Sequence, residues 1–575
     1  MKTGILASVA LCAMASTASF AASPSDNGFA TDDLTGFEKM EYVPPAPGDD
    51  GFGSTAPTKL LAASIGDQRQ LSTFVPTAKV KMSFEGISQY DVASYGRNFI
   101  PPDTMGAVGT TQFTEFVNGG FAVFNKDGIV AKAQSDVAFW AAAGQTGAQG
   151  DSRVRFDKSA NRWIALSFGA SVSDIQIAVS KTADATGEWQ STKFTGFAGG
   201  TADYPTLAID TNAVYIGTNN FAGSFAGTTL NVIPLASLFG GGAPTTTGLK
   251  QFVTPYNSAT GGADGGYAIQ GVNSTAAGPN GKVLALSLFN GNAHNFDTNV
   301  TYDITNAGTA TAAEVNGTYI GGHSYNQNDF GRQPNAVPDT NPSAAFANND
   351  RVIDTLDPRI GSSVYEANGL IYSVQTITPL NGDHTAVHWQ IVNAATNALV
   401  SEGKISDGVH DFFEGSLSVN AAGQVVIAFN RSGSGADGNV SFFARTYTTS
   451  ATGHLVQRGG EELLTVSLVD DYHNGSVDGR VAAGRQRWGD YSQVTLDPND
   501  PTKFWVIGEF AREYNDAAGG HPAGTGGSRW STWISEIDVT TVGSVPEPAT
   551  WGMMIAGFGL IGAMQRRRRT GYASA

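Results

Sequence analysis

From Lys79 onward, apolar and polar residues alternate at period two in short runs, each ending in an Asx or Gly turn. That period places successive side chains on opposite faces of an extended chain, so the runs predict β-strands joined as hairpins. Asp151 to Asp157, followed by Arg162 to Leu166, is one such unit, and Asp203 to Asp210 with Val214 to Ile216 is another. Ser362 to Glu366 turns at Asn368-Gly369 into Leu370 to Val374. Glu414 to Val419 turns through Asn420 to Gly423 and returns as Gln424 to Phe429. Asp490 to Asp497 turns through Pro498 and Asn499 and returns as Phe504 to Ile507, and weaker copies lie at Asp103 to Val117 and Ile269 to Leu288.

The turns near Asp157, Asp210, Asn368 and Asn420 are separated by roughly fifty residues or a simple multiple of it, the period of small antiparallel sheets arranged as blades. The expected fold is all-β: a β-propeller over 79–540 with about seven blades, six or eight also fitting the stretched spacings. Two β-sandwiches in series are the rival architecture, and the regular repeat argues against them. Ring closure is expected between a strand near Lys79 to Phe84 and the last strand, Thr532 to Val539. The Asn-, Pro- and Asp-rich stretch from His323 to Asp350 is expected to form a long loop.

The two ends of the chain follow other rules. Met1 to Ala21 has a basic start at Lys2, an apolar run from Ile5 to Ala15 and small residues at Ser19 and Ala21, so a signal peptide cleaved between Ala21 and Ala22 is expected. The alternative, an uncleaved anchor helix, suffers from an apolar run too short to span comfortably. Residues 22–78 are polar and broken by Pro44-Pro45-Ala46-Pro47, which predicts a flexible linker. At the other end, Pro546-Glu547-Pro548 and Trp551 precede an apolar, Gly-rich run to Met564 and the cluster Arg566, Arg567, Arg568 and Arg569. Physically this is a short membrane-anchor helix with its arginines on the cytoplasmic side. The segment 541–575 closely resembles the PEP-CTERM sorting signal of Gram-negative bacteria. The resemblance implies processing by an exosortase-type membrane enzyme, and a place at the cell surface or in an exopolysaccharide or biofilm matrix.

Composition narrows the classes further. Only 15% of the 575 residues are charged and 71 are glycine, which suits a turn-rich β protein. The formal net charge of -17 argues against a nucleic-acid partner, because phosphate binding needs a basic face. The only cysteine, Cys12, lies in the signal segment, so the mature protein would have neither a disulfide nor a thiol nucleophile.

Candidate chemistry centres on acids that precede the first strand of many copies: Asp103, Asp151, Asp203, Glu414 and Asp490. Equivalent positions in successive blades fall on a ring around the axis, so these carboxylates could converge at one mouth of the channel. Convergent carboxylates repel, and would take a Ca²⁺ ion or the nearby Arg153, Arg359 and Arg487 as partners. The structural alternative is that each acid caps turn or strand amides and locks blade to blade. No HExxH, phosphate loop or Gly-x-Ser-x-Gly elbow occurs in the body. His384 and His388 sit on a strand, about 13 Å apart at that spacing and too far for one zinc.

Pro101 to Gly109, the Asp157 to Trp163 hairpin, Asp203-Tyr204-Pro205 and Arg487 to Ser492 resemble motifs of exported bacterial propellers related to sialidase and BNR-repeat proteins. The resemblance implies the fold more than an activity. Sialidase chemistry would draw on arginines, Tyr204 or Tyr491 and the acids above, but an Arg-Ile-Pro motif and well-formed Asp-boxes are missing. The favoured expectation is a non-enzymatic binding or adhesion protein for polysaccharide or another envelope component. The alternative is a sialidase-like glycan-cleaving hydrolase or lyase.

Overall fold

The computed structural model describes residues 41–42, 79–97, 99–223, 225–255, 266–276, 281–286, 299–320, 352–356, 358–378, 384–433, 438–468, 485–514 and 528–540. The signal segment with Ala21 and Ala22, most of the arm, the stretch 323–350 and the C-terminal tail with its Pro-Glu-Pro and arginine residues lie outside these. The chain divides into two units, 1–538 and 539–575. The first unit is all-β apart from short helices such as Asp136–Ala142, which Ser135 caps by accepting from the Ala138 amide.

The strands form successive antiparallel meanders, as the hairpin pattern requires. The first blade runs Gly106–Val108, Gln112–Val117, Gly120–Asn125 and Val130–Ser135. The second runs Arg153–Asp157, Arg162–Phe168, Asp174–Ser180 and Trp189–Thr195. The third has the broken inner strand Thr201–Asp203 and Ala208–Ile209, then Ala213–Phe221, Phe225–Pro234 and Lys250–Pro255. Another blade runs Asp411–Val419, Gln424–Ser432 and Ser441–Thr449, with Leu455–Gln457 and Glu462–Val466 both pairing with its third strand. The last combines Gln493–Leu496, Lys503–Tyr514 and Ser528–Asp538 with Val80–Ser88 from the start of the body. This is the expected closure, with Val80 opposite Ile537 and Phe84 opposite Ile534.

Five blades therefore stand separate, and eight further strands form one sheet. Its halves, Tyr267–Asn273 to Ala313–Tyr319 and Val364–Ala367 to Leu399–Ile405, are joined by a two-residue parallel pairing of Val272 with Val364 and Asn273 with Tyr365. The expected count of about seven is met only if this sheet is divided at that pairing. Backbone hydrogen bonding between two adjacent inner strands is what merges them. Successive inner strands pack side by side, and Gln493–Leu496 packs against Gly106–Val108 to complete the ring.

Both faces of most strands are covered by neighbouring blades, so strands such as Gln112–Val117 and Ala213–Phe221 are buried at every position. Aromatic side chains fill the wedges between blades: Phe113 stacks on Trp505 at 5.7 Å, and Phe84 lies 5.1 Å from Phe124. Near the axis the inner strands kink. Asp103, Asp151, Tyr204, Ala268 and Glu414 all have φ between 50° and 52°, a left-handed conformation that L residues adopt only when the surroundings enforce it. At three of these positions an amide is held by the second strand of the preceding hairpin or by the turn just after it. Asn118 Oδ1 accepts from the Asp151 amide at 2.9 Å, Asn219 Oδ1 from Ala268 at 2.8 Å, and Thr376 Oγ1 from Glu414 at 3.1 Å.

Candidate functional site

Four of the predicted acids come together: the kinked Asp103 and Asp151, Asp203 beside the kinked Tyr204, and Asp490. Asp103, Asp151, Asp203 and Asp490 are 2–5% exposed, and Asp151 feels the charge of the other three. Burial, and then Asp203, Asp103 and Asp490, push the Asp151 carboxyl well above the usual range, while Arg153 pulls it down. Asp103 also bridges blades. Its Oδ2 accepts from Asn118 Nδ2 at 2.8 Å and its Oδ1 from the Asp490 amide at 3.1 Å.

Two predicted arginines are built into the same centre, interleaved with tyrosine rings. The Arg153 guanidinium lies 3.4 Å from the centre of the Tyr491 ring and 5.1 Å from that of Tyr204. Arg359 lies 4.7 Å from the Tyr204 ring and 5.2 Å from the Tyr267 ring. The sequence Tyr491, Arg153, Tyr204, Arg359, Tyr267 thus alternates ring and cation across the centre. Arg153 Nε donates to the Pro205 carbonyl at 2.8 Å, Arg359 Nη2 to the Tyr267 hydroxyl at 3.3 Å, and Arg359 Nη1 sits 3.8 Å from Asp490 Oδ2. Burial raises the Tyr204 and Tyr491 hydroxyls well above their ordinary value, so both are neutral phenols.

Glu414 is not among the acids that act on Asp151, though it shares a cleft with one of them, Asp490. It lines a cleft beside the axis together with Thr355, Arg359, Thr376, Asp490 and Tyr491. Its position depends on Gly489: a Cβ there would lie 2.3 Å from Glu414 Oε1. Arg487 ends the strand Arg485–Arg487, which pairs in parallel with Val352–Asp354, but its side chain lies outside the described residues.

The calcium reading of the ring finds no support among the described residues, where no group of three His, Cys, Asp or Glu side chains is placed to hold a metal ion. Arg153 acts on Asp151 and Arg359 lies 3.8 Å from Asp490, each beside tyrosine rings. His384 Nδ1 and His388 Nε2 pair with different carboxylates, Asp411 and Glu402, each at 3.2 Å. Tyr267 and Thr355 were not singled out from sequence. Neither belongs to a motif, and only the folded ring puts Tyr267 against Arg359 and Thr355 in the cleft.

Among the described residues no helix is long and apolar enough to cross a membrane. No curated protein matches the chain. Structural likeness is distant. A protein of unknown function from Dyadobacter fermentans aligns over 75% of this chain and 94% of its own, at 10% identity and a TM-score of 0.33. The Dos1 propeller aligns over 79% and 94%, at 8% identity and a TM-score of 0.34. An endo-1,4-beta-xylanase from Bacteroides thetaiotaomicron aligns over 61% and 91%, at 11% identity and a TM-score of 0.28. Residues 544–569 match the PEP-CTERM protein-sorting motif. That motif implies recognition by an exosortase, export, and association with the envelope of a Gram-negative bacterium through the C-terminal segment.

Proposed function

We propose that this chain is an exported propeller held at the cell surface or in the extracellular matrix, where its body binds polysaccharide or another envelope component without cleaving it. The carrying observation is the sorting motif at 544–569 attached to a propeller body. The state of the axial acids supports binding over cleavage. A glycosidase sets its two carboxyl groups on either side of a sugar, with room for the bond being broken. Asp103, Asp151, Asp203 and Asp490 are buried against Arg153, Arg359, Tyr204 and Tyr491. Kinship of the body with sialidase-related propellers belongs to the same proposal, as do signal-peptide cleavage after Ala21 and exosortase processing at Pro546 to Arg569.

One observation favours the second reading, a sialidase-like hydrolase or lyase. A carboxyl held above its ordinary pKa, as Asp151 is, keeps the proton that a general acid delivers. The test is to incubate the secreted protein with the matrix polysaccharide of the producing bacterium, following co-sedimentation and release of reducing ends. Co-sedimentation without release is expected. Release that disappears in Asp151→Asn would replace the binding reading with the enzymatic one.

A further inference from the structure

The cleft beside the axis carries more than a place on a map. We propose that it is a subsite for the hydroxyl edge of a neutral sugar, read by Thr355, Arg359 and Glu414. The proposal rests on the reading that the body binds polysaccharide. The cleft is partly open to one side. The whole cleft offers a guest about 20 Å³, room for a single water-sized group. A sugar could therefore insert one hydroxyl while its ring stays outside the cleft.

The lining groups define what that inserted group must be. Thr355 is 3% exposed and its Oγ1 has no hydrogen-bond partner. Buried hydroxyls are rarely left unbonded, so this atom calls for a guest. Arg359 offers only donors, and its guanidinium is held in place by Tyr204, Tyr267 and Asp490. Glu414 offers only acceptors when ionised, and its backbone is pinned: its amide donates to Thr376 Oγ1 and its carbonyl accepts from Ser492 Oγ at 2.8 Å. A guest facing all three must both donate and accept. A hydroxyl does so.

Other chemistries meet opposition. A carboxylate or phosphate would confront Glu414 and Asp490, a bare cation would confront Arg359, and an apolar group would leave Thr355 unbonded. These groups therefore favour neutral hexoses over uronic or sialic acids.

The experiment titrates the secreted protein with the producing bacterium's matrix polysaccharide, with glucose, galactose and mannose, and with glucuronic acid as the anionic probe. Wild-type protein is expected to bind the polysaccharide and at least one neutral hexose more tightly than glucuronic acid. Thr355→Val replaces the hydroxyl by a methyl of the same shape and should weaken that binding roughly three- to tenfold, the loss of one hydrogen bond. Glu414→Gln should narrow the preference against glucuronic acid, and Thr355→Val decides the matter alone if that variant does not fold. Unchanged binding in variants that melt like wild type would show that the cleft holds a resident water only. That outcome sinks this inference while polysaccharide binding stands. A wild-type protein that binds none of the probes overturns both.

Discussion

The inner hairpins carry acidic or amide residues at both ends, and the two ends live under opposite conditions. At the turn end, carboxylates are surrounded by donors. Asp210 Oδ1 accepts from the Asn212 and Ala213 amides, and its Oδ2 accepts from the Tyr215 hydroxyl at 2.5 Å and from the Gly281 amide of the next sheet at 3.0 Å. Asn420 likewise accepts from Ala422 and Gln424 amides while donating to the Pro501 carbonyl of the neighbouring blade at 2.7 Å. At the axis, acids face acids: Asp103, Asp203 and Asp490 all press on Asp151. The turn residues join blades by supplying missing partners to backbone groups. Charge compensation joins the axis, through arginines gripped between tyrosines. Burial raises the carboxyl at both ends, but at Asp210 hydrogen-bond donors oppose the rise, whereas at Asp151 further acids add to it.

The sharpest way to break this contrast is to remove the compensation. Arg153→Ala takes a buried cation from beside Asp151 and from the face of Tyr491, and should cost about 3–5 kcal/mol in chemical denaturation. Arg153→Lys should recover only part of this, because an ammonium lacks the planar face that stacks on the ring. A cost below about 1 kcal/mol for the alanine variant would mean that the axial charges are balanced elsewhere. At the turn end, Asp210→Ala should cost about 3 kcal/mol, because it strands the Tyr215 hydroxyl and amides from two sheets at once. A much smaller loss in the melting curve would remove the turn acids from the list of blade connectors.

Asp151 sharpens the comparison through pH. Its carboxyl is raised on folding, first by burial and then by its three acidic neighbours. A raised group stabilises the fold while it keeps its proton. That contribution is complete below the ordinary carboxyl range and is lost as pH climbs through the folded value. Asp151→Asn imitates the protonated acid and cannot ionise. The variant should match wild type in acid and exceed it in stability as the solution is made alkaline, read as the difference between two melting-temperature profiles. Profiles that stay parallel at every pH would show that Asp151 is not raised on folding.

Much of the turn end was legible in the sequence, because an Asx turn between two period-two runs is a local signal. Asp157, Asp210, Asn420 and Asp497 all accept from amides just after them in the chain. Closure of Val80–Ser88 on Ser528–Asp538 was legible too, since a ring needs its ends paired. The acids are marked in the sequence by their constant distance to the turn, and the fold sets Asp103, Asp203 and Asp490 against Asp151. Glu414 kept that distance yet lines the side cleft. What stayed hidden is non-local. Asp103, Asp151, Tyr204, Ala268 and Glu414 share a kinked backbone but no common side chain, because the requirement falls on φ and, at three of them, on an amide held by another blade. The parallel pairing of Val272 with Val364 leaves no mark in either segment's pattern.

The smallest effect is expected where a turn acid meets a side-chain cation rather than an amide. Lys126 Nζ lies 2.6 Å from Asp497 Oδ2, linking the first blade to the last across 371 residues of sequence. The geometry is close, but the lysine side chain is 24% exposed and solvent competes for both charges. Asp497 also keeps its other partners without the lysine, since Oδ1 accepts from the Asn499 amide at 2.9 Å and more weakly from that of Asp500 at 3.4 Å. Lys126→Ala should therefore cost only about 0.2–1 kcal/mol, the usual range for a solvent-accessible pair. High salt should erase most of that difference, whereas the Asp210→Ala loss should persist, because it comes from hydrogen bonds rather than screened charge. A Lys126→Ala cost as large as that of Asp210→Ala, and equally indifferent to salt, would make the blade-to-blade ion pair a structural connector of the same rank as the amide contacts. The distinction between compensating charge and supplying partners would then fail at the turn end.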